Sequence, residues 1–251
     1  MSEKNILITG AARRIGRTLA LCFAKAGWNI ALHYGTSHDD AASLADEIAA
    51  LGVKTALVPA DLMDAEAVQK IVPAAVAALG PLHCLINNAA FFEWDDIHTV
   101  TADSFSAHLN VNLQAPLLLS QSFARQVPKG TQGNIINIVD QRVFNLGPEF
   151  LSYTLSKSGL WTLTQTLAMA LAPAVRVNAI GPGPTLANTR QTAAQFRQQQ
   201  QSVPLGYGPT ADEIASAALF ILQARSMTGE FIALDGGQHL PIIGKGEDVH
   251  E

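Results

Sequence analysis

The sequence predicts an α/β fold in which helices cover both faces of a parallel sheet. Short β-branched or aliphatic runs alternate with longer Ala/Leu-rich stretches of helical period, which is the pattern of βαβ units. Several strand segments, such as Ile135-Ile136-Asn137-Ile138-Val139, are apolar almost throughout, as expected for strands that helices bury from both sides. No Pro/Ser-rich tract, charge block or internal repeat interrupts the alternation, so we expect residues 1–251 to form a single domain.

Each element follows from one of these two patterns. Aliphatic runs of strand length predict strands near 5–9, 28–34, 53–59, 82–87, 133–139, 175–180 and 229–234. The Ala/Leu-rich stretches predict helices near 15–27, 39–51, 64–79, 101–126, 151–172 and 210–223. Strands and helices therefore alternate along most of the chain.

One segment breaks this rhythm. Gly181-Pro182-Gly183-Pro184 is followed by a polar, Gln-rich and helix-like stretch at 191–201. Connections of this length inside a domain are usually functional, so we expect a lid-like segment at about 186–206. The tail at 241–251 is expected to be weakly structured.

Composition and charge exclude several classes of protein. Of the 251 residues, 48% are hydrophobic and 15% are charged, as in soluble globular proteins. The net charge of −5 argues against nucleic acid and anionic membranes as general partners, so a bound anion must be held by local groups. The N-terminus lacks a signal-peptide pattern, and prolines, glycines and asparagines interrupt the long uncharged stretch at 71–92, so no membrane span is expected. Cys22 and Cys84 are far apart and form no C-x-x-C pair, which favours a reducing cytoplasm.

A glycine-rich turn follows the first strand and leads into the first helix. It reads Thr9-Gly10-Ala11-Ala12-Arg13-Arg14-Ile15-Gly16. Small residues that let the backbone approach a pyrophosphate, together with helix N–H groups pointing at it, make a dinucleotide site. Glycines also serve ordinary strand-to-helix turns, so the turn alone leaves both interpretations open.

The end of the second strand distinguishes the two nicotinamide cofactors. An NAD site usually has an acid about 20 residues after the glycines for the ribose 2′-OH, whereas an NADP site has donors for the 2′-phosphate. Here the segment is His33-Tyr34-Gly35-Thr36-Ser37, and the first carboxylate is Asp39. Arg13, Thr36 and Ser37 can contact a phosphate, so we expect NADP(H). The alternative is that Arg13 is a solvated surface charge.

Tyr153 and Lys157 are four residues apart in a predicted helix, which places them on one face. An ammonium group beside a phenol favours the phenolate, so we expect the pKa of Tyr153 to be lowered toward the range useful for proton transfer. A Tyr-x-x-x-Lys spacing also arises by chance on solvated helix surfaces.

These features occur in one order along the chain and together resemble the short-chain dehydrogenase/reductase family. The resemblance covers roughly residues 5–240. It rests on the glycine turn, Asp61, Asn87-Asn88-Ala89, Asn112, the Tyr153/Lys157 pair, Asn178, Pro182-Gly183 and the terminal Leu234-Asp235-Gly236-Gly237.

The resemblance implies one Rossmann-type, doubly wound parallel sheet and a catalytic set. Tyr153 would donate or accept the proton, Lys157 would lower its pKa and bind the nicotinamide ribose, and Asn112 would hold a water that links Lys157 to solvent. It also implies a homotetramer built on the helices near 101–126 and 151–172 and on the last strand.

The same resemblance implies a cofactor site. Asp61 would bind the adenine amino group, Asn88 would line the ribose side, and Pro182-Gly183 would pass beside the nicotinamide. The full expected set is Gly10, Arg13, Arg14, Ile15, Tyr34, Thr36, Ser37, Asp61, Leu62, Asn88, Ala89, Tyr153, Lys157, Pro182 and Gly183.

Two departures from the family pattern narrow the expected substrate. Arg14 stands where most members have glycine, and Asp140 stands where they have the serine that holds a substrate carbonyl. With Phe91 and Phe92 after the Asn-Asn-Ala motif, these residues resemble the pteridine reductase and dihydromonapterin reductase branch. Arg14, Phe92, Asp140, Tyr153 and Thr185 would then contact a pterin, with Phe92 stacking on its ring. The alternatives are that Phe92 packs in the core or on the lid and that Asp140 caps a loop.

The sequence therefore predicts an NADPH-dependent reductase of a C=N bond in a dihydropteridine-like substrate. A generic NADPH-dependent carbonyl reductase is the alternative within the same fold, and a non-catalytic NADP(H)-binding regulator is the alternative from another class. His33, His83, His98 and His108 show no ligand spacing, so no metal is expected. His239 either reaches a neighbouring subunit or is a surface or capping residue.

Overall fold

Seven parallel strands form one sheet in the computed structural model, which describes residues 4–188 and 190–240. The strands are β1 (Asn5–Ile8), β2 (Asn29–Tyr34), β3 (Thr55–Pro59), β4 (Cys84–Asn87), β5 (Gly133–Ile138), β6 (Val175–Pro182) and β7 (Phe231–Leu234). Their order in the sheet is β3-β2-β1-β4-β5-β6-β7, and every neighbouring pair is parallel. The predicted doubly wound α/β fold is confirmed.

The strand order reverses at β1, which lies between β2 and β4. Ile6 pairs with Ile30 of β2 on one side and with Cys84 of β4 on the other. The connection after β1 leads to a strand on one side of it, and the connection to β4 leads to the other side. A crevice therefore opens beyond the carboxyl ends of β1 and β4. The glycine turn and the Asn87-Asn88-Ala89 motif lie on the two sides of that crevice.

Eight α-helices lie in the described part of the chain, and each of the six connections between consecutive strands contains at least one. They are α1 (Arg14–Lys25), α2 (His38–Ala49), α3 (Ala65–Leu79), α4 (Ala102–Leu109), α5 (Ala115–Gln126), α6 (Leu151–Leu171), α7 (Ala193–Gln201) and α8 (Ala211–Gln223). The predicted helix at 101–126 is continuous, but its middle is a five-residue π-helical segment, Asn110–Gln114. A π segment leaves no signature in the hydrophobic period, because it adds one residue to a single turn.

Alternate residues of β1 pack into two separate hydrophobic cores, one on each face of the sheet. Ile6 and Ile8 pack with Phe23 of α1 on one face of the sheet, and Leu7 packs with Phe123 of α5 on the other. All five side chains are fully buried. Burial of each such side chain stabilises the fold by about 1.5–3 kcal/mol, which explains why the strands are apolar on both faces.

The segment predicted to be a lid contains α7. Thr192 and Gln195 form a capping box at its start, in which each side chain accepts a hydrogen bond from the other residue's backbone N–H. Arg14 and Glu93 contact this segment from the body of the domain, as described below. Its closure over a substrate stays a prediction, and the predicted tail at 241–251 lies outside the described residues. In the ranges that the structure describes, no helix has the length and apolar character needed to cross a membrane.

Candidate active site

A cleft of about 790 Å³ lies beyond the carboxyl ends of β1, β4, β5 and β6. One wall is the glycine turn, another is the start of α6, and the segment from Pro182 through α7 closes the third side. Thirteen of the sequence-predicted site residues line it: Gly10, Arg13, Arg14, Ile15, Asn88, Ala89, Phe92, Asp140, Tyr153, Lys157, Pro182, Gly183 and Thr185.

The predicted adenosine-side residues do not line this cleft. Tyr34 ends β2, Thr36 and Ser37 follow it, and Asp61 and Leu62 follow β3 at the same edge of the sheet. Asp61 accepts a hydrogen bond from the Met63 N–H at 2.9 Å, which closes a local turn. The Tyr34 hydroxyl bonds to His38 Nδ1 at 2.8 Å. Their predicted contacts with a cofactor stay predictions.

The glycine turn brings two backbone segments closer than a side chain would allow. Gly10 has a φ of +60°, the left-handed region that favours glycine. A Cβ on Gly16 would lie 2.1 Å from the Gly10 carbonyl oxygen. Both glycines are therefore needed to form a small, backbone-lined cradle at the start of α1, as an N-terminal phosphate site requires.

His33 supports this cradle from below, a role that the sequence did not reveal. The Gly10 N–H donates to His33 Nδ1 at 3.2 Å, and His33 Nε2 lies 3.2 Å from the Ala60 carbonyl oxygen. Burial lowers the pKa of His33 to about 4, so the ring is neutral and Nε2 donates to Ala60. One imidazole therefore ties together the ends of β1, β2 and β3.

Asn88 and Thr9 connect the two sides of the crevice. The Asn88 side-chain amide donates to the carbonyls of Thr9 at 2.8 Å and Gly10 at 3.2 Å. In return, the Thr9 hydroxyl oxygen accepts from the backbone N–H groups of Asn88 and Ala89. Asn88 thus holds the glycine turn in place as well as lining the cleft.

The two adjacent arginines of the turn have different partners. Arg13 forms an exposed ion pair with Asp40 in the first turn of α2. Arg14 has a φ of +56° and reaches across the cleft, where its guanidinium donates to the carbonyls of Ala187 at 2.6 Å and Leu186 at 3.0 Å. The left-handed backbone explains why glycine suits this position, and the side chain of Arg14 tethers the segment after β6.

Tyr153 and Asp140 meet directly on the cleft wall. The Tyr153 hydroxyl donates to Asp140 Oδ2 at 3.1 Å. The other oxygen, Oδ1, accepts from the Arg142 N–H at 2.9 Å and caps the short 3₁₀ turn Gln141–Val143. Asp140 therefore has both of the roles considered for it, a loop cap and a partner of Tyr153.

The pKa of Tyr153 is raised well above its usual value, not lowered as expected. Burial is the main cause, and the neighbouring Asp140 carboxylate adds to it. Burial also raises the pKa of Asp140, against opposing effects of Arg142, Lys157 and Tyr153. A phenol that donates to a carboxylate keeps its proton, so in this arrangement Tyr153 is set up as a proton donor.

Lys157 lies beneath Tyr153 with only 1% of its surface exposed. Its ammonium donates to the Ile138 carbonyl at 2.8 Å and lies 5.7 Å from the centre of the Tyr153 ring. Burial lowers the pKa of Lys157 to about 8, although Asp140 opposes the shift. The predicted pairing on one helix face is present.

Asn112 lies in the π segment, fully buried behind the cleft. Its side-chain oxygen accepts from the Phe91 N–H at 2.8 Å, and its amide donates to the Phe91 carbonyl and to the Ser156 hydroxyl, each at 2.9 Å. These bonds fix the chain just before Phe92. The predicted water between Asn112 and Lys157 stays a prediction.

An aromatic stack extends from Phe92 along the cleft rim. The Phe92 ring lies parallel to that of Phe150 at 4.8 Å and edge-on to Tyr153 at 4.6 Å. The Arg142 guanidinium lies 4.6 Å from the centre of the Phe150 ring. Phe92 remains 36% exposed, so it both packs on a neighbour and offers apolar surface to a ligand.

Three further contacts shape the cleft mouth and were not found from sequence. Glu93 forms an ion pair with Arg190, which joins the aromatic rim to the segment before α7. The Glu93 N–H also donates to buried His108 at 3.2 Å. At the other end, the Thr185 hydroxyl donates to the Gly183 carbonyl at 3.0 Å. The two contacts of Glu93 join residues distant in the chain, and such pairs leave no local sequence signal.

No group of three or more His, Cys, Asp or Glu side chains is placed to hold a metal ion in the described ranges. His239 bonds to Asp235, with Nδ1 at 2.8 Å from Oδ2, so within the described chain it has a capping contact.

Comparison with known proteins places this geometry in a family. A family model described as enoyl-(acyl carrier protein) reductase, one of the short-chain dehydrogenase/reductase models, matches residues 10–239. The chain belongs to the short-chain dehydrogenase/reductase family. The predicted resemblance to this family is thereby confirmed.

Curated relatives from this family carry different names. The chain is 32% identical over 245 residues to an uncharacterized oxidoreductase of Methylorubrum extorquens, covering 94% of this chain and 98% of the relative. It is 28% identical over 243 residues to the 3-oxoacyl-[acyl-carrier-protein] reductase FabG of Staphylococcus epidermidis, covering 95% and 100% of the two chains.

Solved structures from the family are similar over nearly the whole length. FolM alternative dihydrofolate reductase 1 from Brucella suis, in complex with NADP, has 40% identity and a TM-score of 0.92, covering 94% of this chain and 95% of that one. The Brucella canis protein of the same name, also with NADP, has 38% identity and a TM-score of 0.91, covering 99% and 98%. A blue fluorescent protein from a metagenomic library, in complex with NADPH, has 29% identity and a TM-score of 0.87, covering 94% and 97%.

Proposed function

We propose that this chain is an NADPH-dependent reductase that acts on a C=N bond of a dihydropteridine-like heterocycle. The observation that carries the proposal is the Tyr153–Asp140 hydrogen bond beside the exposed part of Phe92. A proton donor, a carboxylate and an aromatic face thus converge on one cleft wall. The two FolM proteins, named as alternative dihydrofolate reductases, support the same substrate class.

The cofactor is NADP(H), and the cleft fits it. The space that a Cβ on Gly16 would fill, the N-terminus of α1 and the narrow turn at Gly10 make a cradle for a pyrophosphate. No carboxylate side chain follows β2 before Asp39. Thr36 and Ser37 can contact a 2′-phosphate, and Arg13 can do so when it releases Asp40 and binds the phosphate instead. When bound, the reduced cofactor supplies a hydride.

The chain's own residues provide the proton path. Tyr153 holds its proton because burial and Asp140 raise its pKa, and it can deliver that proton to a ring nitrogen. Asp140 accepts the hydrogen bond, orients the phenol and, when protonated, can relay a second proton. Lys157, whose ammonium donates to the Ile138 carbonyl in this structure, would bind a ribose hydroxyl and Tyr153 in the loaded enzyme.

The same carboxylate argues against ordinary carbonyl reduction. A ketone oxygen gains negative charge as it is reduced, and an ionised Asp140 would repel that charge. A serine hydroxyl, in contrast, would donate to it. The relatives named 3-oxoacyl reductase keep carbonyl reduction as the second candidate function, at 28% identity.

A direct assay tests the proposal. The protein is mixed with NADPH and dihydrobiopterin, dihydromonapterin or dihydrofolate, and oxidation of NADPH is followed by absorbance. We expect turnover with at least one of the three. Absence of turnover with all of them would overturn the substrate class.

Asp140→Ser separates the two candidate substrate classes. Because serine cannot relay a proton or accept as a carboxylate does, pterin reduction should fall, whereas ketone reduction should be unchanged or improve. The reverse pattern would favour the carbonyl reductase. A non-catalytic regulator is a further alternative. It predicts that the protein binds NADPH but does not oxidise it with any member of a broad substrate panel. The presence of both Tyr153 and Lys157 argues against this alternative.

We also propose a homotetramer in the reducing cytoplasm. Leu117 of α5 and Leu155 and Met169 of α6 are exposed apolar side chains on the helices expected to form an interface. Both cysteines are free. Light scattering coupled to gel filtration tests the assembly, and a monomeric mass would contradict it.

A further inference from the structure

Asp95 lies in the segment between β4 and α4 and is almost fully buried. Its Oδ1 accepts a hydrogen bond from the Ser152 N–H at 3.1 Å. Its backbone carbonyl accepts from the Phe150 N–H at 2.7 Å and from the Leu151 N–H at 3.4 Å. Three consecutive N–H groups at the start of α6 are therefore bound by one residue, which lies 57 positions before Ser152 in the chain.

The start of α6 depends on this distant residue for its capping. The first N–H groups of any helix have no partner inside it. In α3, α4, α7 and α8, the side chain of the residue directly before the helix accepts from one of them. The residue before α6 is Phe150, which makes no such bond and has a φ of +57°, a left-handed backbone that is unfavourable for a residue with a side chain. Asp95 thus replaces the local cap and holds a strained backbone in place.

The contact of Asp95 with α6 joins two walls of the cleft. Asp95 lies three residues after Phe92, whose ring stacks on Phe150 and lies edge-on to Tyr153. Ser152, which Asp95 binds, directly precedes Tyr153. The segment that presents the aromatic face and the helix that carries the Tyr153 hydroxyl are therefore fastened together at Asp95.

From this arrangement we infer that Asp95 is a positioning residue, which sets the placement of the Tyr153 hydroxyl relative to the Phe92 ring. Asp95 does not line the cleft, so it acts through these two residues and not on the substrate itself. The inference rests on the proposed function and deepens it, because the substrate must meet the proton donor and the aromatic face at the same time. A displacement of about 1 Å in such an arrangement can lower a rate by about 100-fold.

Asp95→Leu tests the inference, because leucine is close to aspartate in shape and cannot accept a hydrogen bond. The buried Ser152 N–H loses its partner, so the first turn of α6 must shift. We expect kcat for the dihydropterin to fall by up to about 100-fold, with little change in the NADPH dissociation constant. Asp95→Asn keeps an oxygen that can accept from Ser152 and should restore kcat to near the native value.

Thr210→Val is the matched control, because it removes a helix cap outside the cleft. The Thr210 hydroxyl oxygen accepts from the Glu213 N–H at 3.2 Å at the start of α8, and no described residue of α8 lines the cleft. Urea unfolding should show lower stability for Thr210→Val and for Asp95→Leu alike. Only Asp95→Leu should lose kcat, whereas a purely structural role for Asp95 predicts that the folded forms of both variants turn over at the native rate.

Ultraviolet titration of the tyrosines reads the same placement without turnover. Burial and Asp140 raise the pKa of Tyr153 in the native protein. A shift of the first turn of α6 should weaken both effects, so one phenol should ionise at lower pH in Asp95→Leu than in the native protein. Thr210→Val should titrate as the native protein does.

The outcomes separate the inference from the proposed function. A native kcat in Asp95→Leu would overturn the role of Asp95 and leave the proposed function standing. If the native protein turns over none of the three dihydropterins, the proposed function is overturned and the titration alone decides, since an unshifted phenol in Asp95→Leu would then overturn the inference as well. If Asp95→Leu does not fold, Asp95→Ala removes the same acceptor with a smaller side chain, and the same loss of kcat and the same shift are expected.

Discussion

The Tyr153 hydroxyl and the Asp140 carboxylate share a hydrogen bond of 3.1 Å, and burial raises the pKa of both groups. Each group therefore keeps its proton to a higher pH than the same side chain does when it is free in water. A carboxylate beside a phenol stabilises the neutral phenol, because a phenolate would place two negative charges together. The proposed proton donation by Tyr153 and proton relay by Asp140 both depend on this relationship.

Tyr153→Phe should nearly abolish reduction. The substitution removes the proton donor and keeps the ring that packs edge-on against Phe92, so turnover should fall by about 10²–10⁴-fold, the range for general acid catalysis. NADPH binding, measured by fluorescence, should be retained. Turnover at the native rate would remove Tyr153 from the proton path.

Asp140→Asn should lower the pKa of Tyr153. The substitution keeps the size of the side chain and removes the negative charge that opposes phenolate formation. Ultraviolet difference titration can follow this directly, since the chain contains only three tyrosines. One phenol should ionise at a lower pH in the variant than in the native protein.

A double variant assigns that titration to Tyr153. In Asp140→Asn combined with Tyr153→Phe, the shifted transition should disappear. Identical titration curves for Asp140→Asn and the native protein would show that the two groups are not coupled.

Lys157 should make stability depend on pH in the alkaline range. The pKa is about 8 in the folded protein against 10.5 for an unperturbed lysine, so between these values the unfolded chain binds a proton that the folded chain does not. The stability of the native protein relative to Lys157→Met should therefore rise as pH increases from 8 toward 10.5, by up to about 3 kcal/mol. Urea unfolding of both proteins at pH 7, 8, 9 and 10, values chosen to span that window, measures the difference. A difference that is constant or shrinks with pH would contradict the shift.

Arg14→Ala should loosen the segment from Leu186 to the end of α7. The substitution removes two hydrogen bonds to the Leu186 and Ala187 carbonyls, so amide hydrogen exchange in this segment should become faster. Arg17→Ala is the matched control, because Arg17 lies on the same helix and instead pairs with Glu47 on the surface. Equal exchange in the native protein and both variants would show that Arg14 does not tether the segment.

Gly16→Ala should damage the cofactor cradle. The new Cβ would lie 2.1 Å from the Gly10 carbonyl oxygen, so the turn must shift and NADPH affinity should fall at least tenfold, an estimate based on about 1.4 kcal/mol of misfit. Gly147→Ala is the control, since no atom lies within 4 Å of its added Cβ. Calorimetric titration with NADPH compares the three proteins. Unchanged affinity in Gly16→Ala would contradict the placement of the cofactor.

The order of strands and helices followed from the sequence because it depends on neighbouring residues. The apolar period of each segment is local, and so is the Tyr153/Lys157 spacing, since a helix places residues four apart on one face. The π segment around Asn112 escaped the same reasoning. It interrupts a helix that the pattern shows as continuous, and its effect is to direct the Asn112 amide at Phe91.

Electrostatic relationships could not be read from the sequence in the same way. The Tyr153/Lys157 motif alone predicts a lowered phenol pKa, whereas the folded protein raises it. The difference arises from desolvation and from Asp140, thirteen residues earlier in the chain, and both depend on how β5 and α6 are packed.

The sequence by itself determined the α/β fold, the glycine cradle and the placement of Tyr153 and Lys157 on one helix face, because each is encoded in residues close together in the chain. Only the tertiary structure decided that Arg14 binds the Leu186 and Ala187 carbonyls, that His33 supports Gly10, and that Tyr153 keeps its proton. Such contacts join residues from separate loops, and their strength depends on burial, which no local pattern specifies.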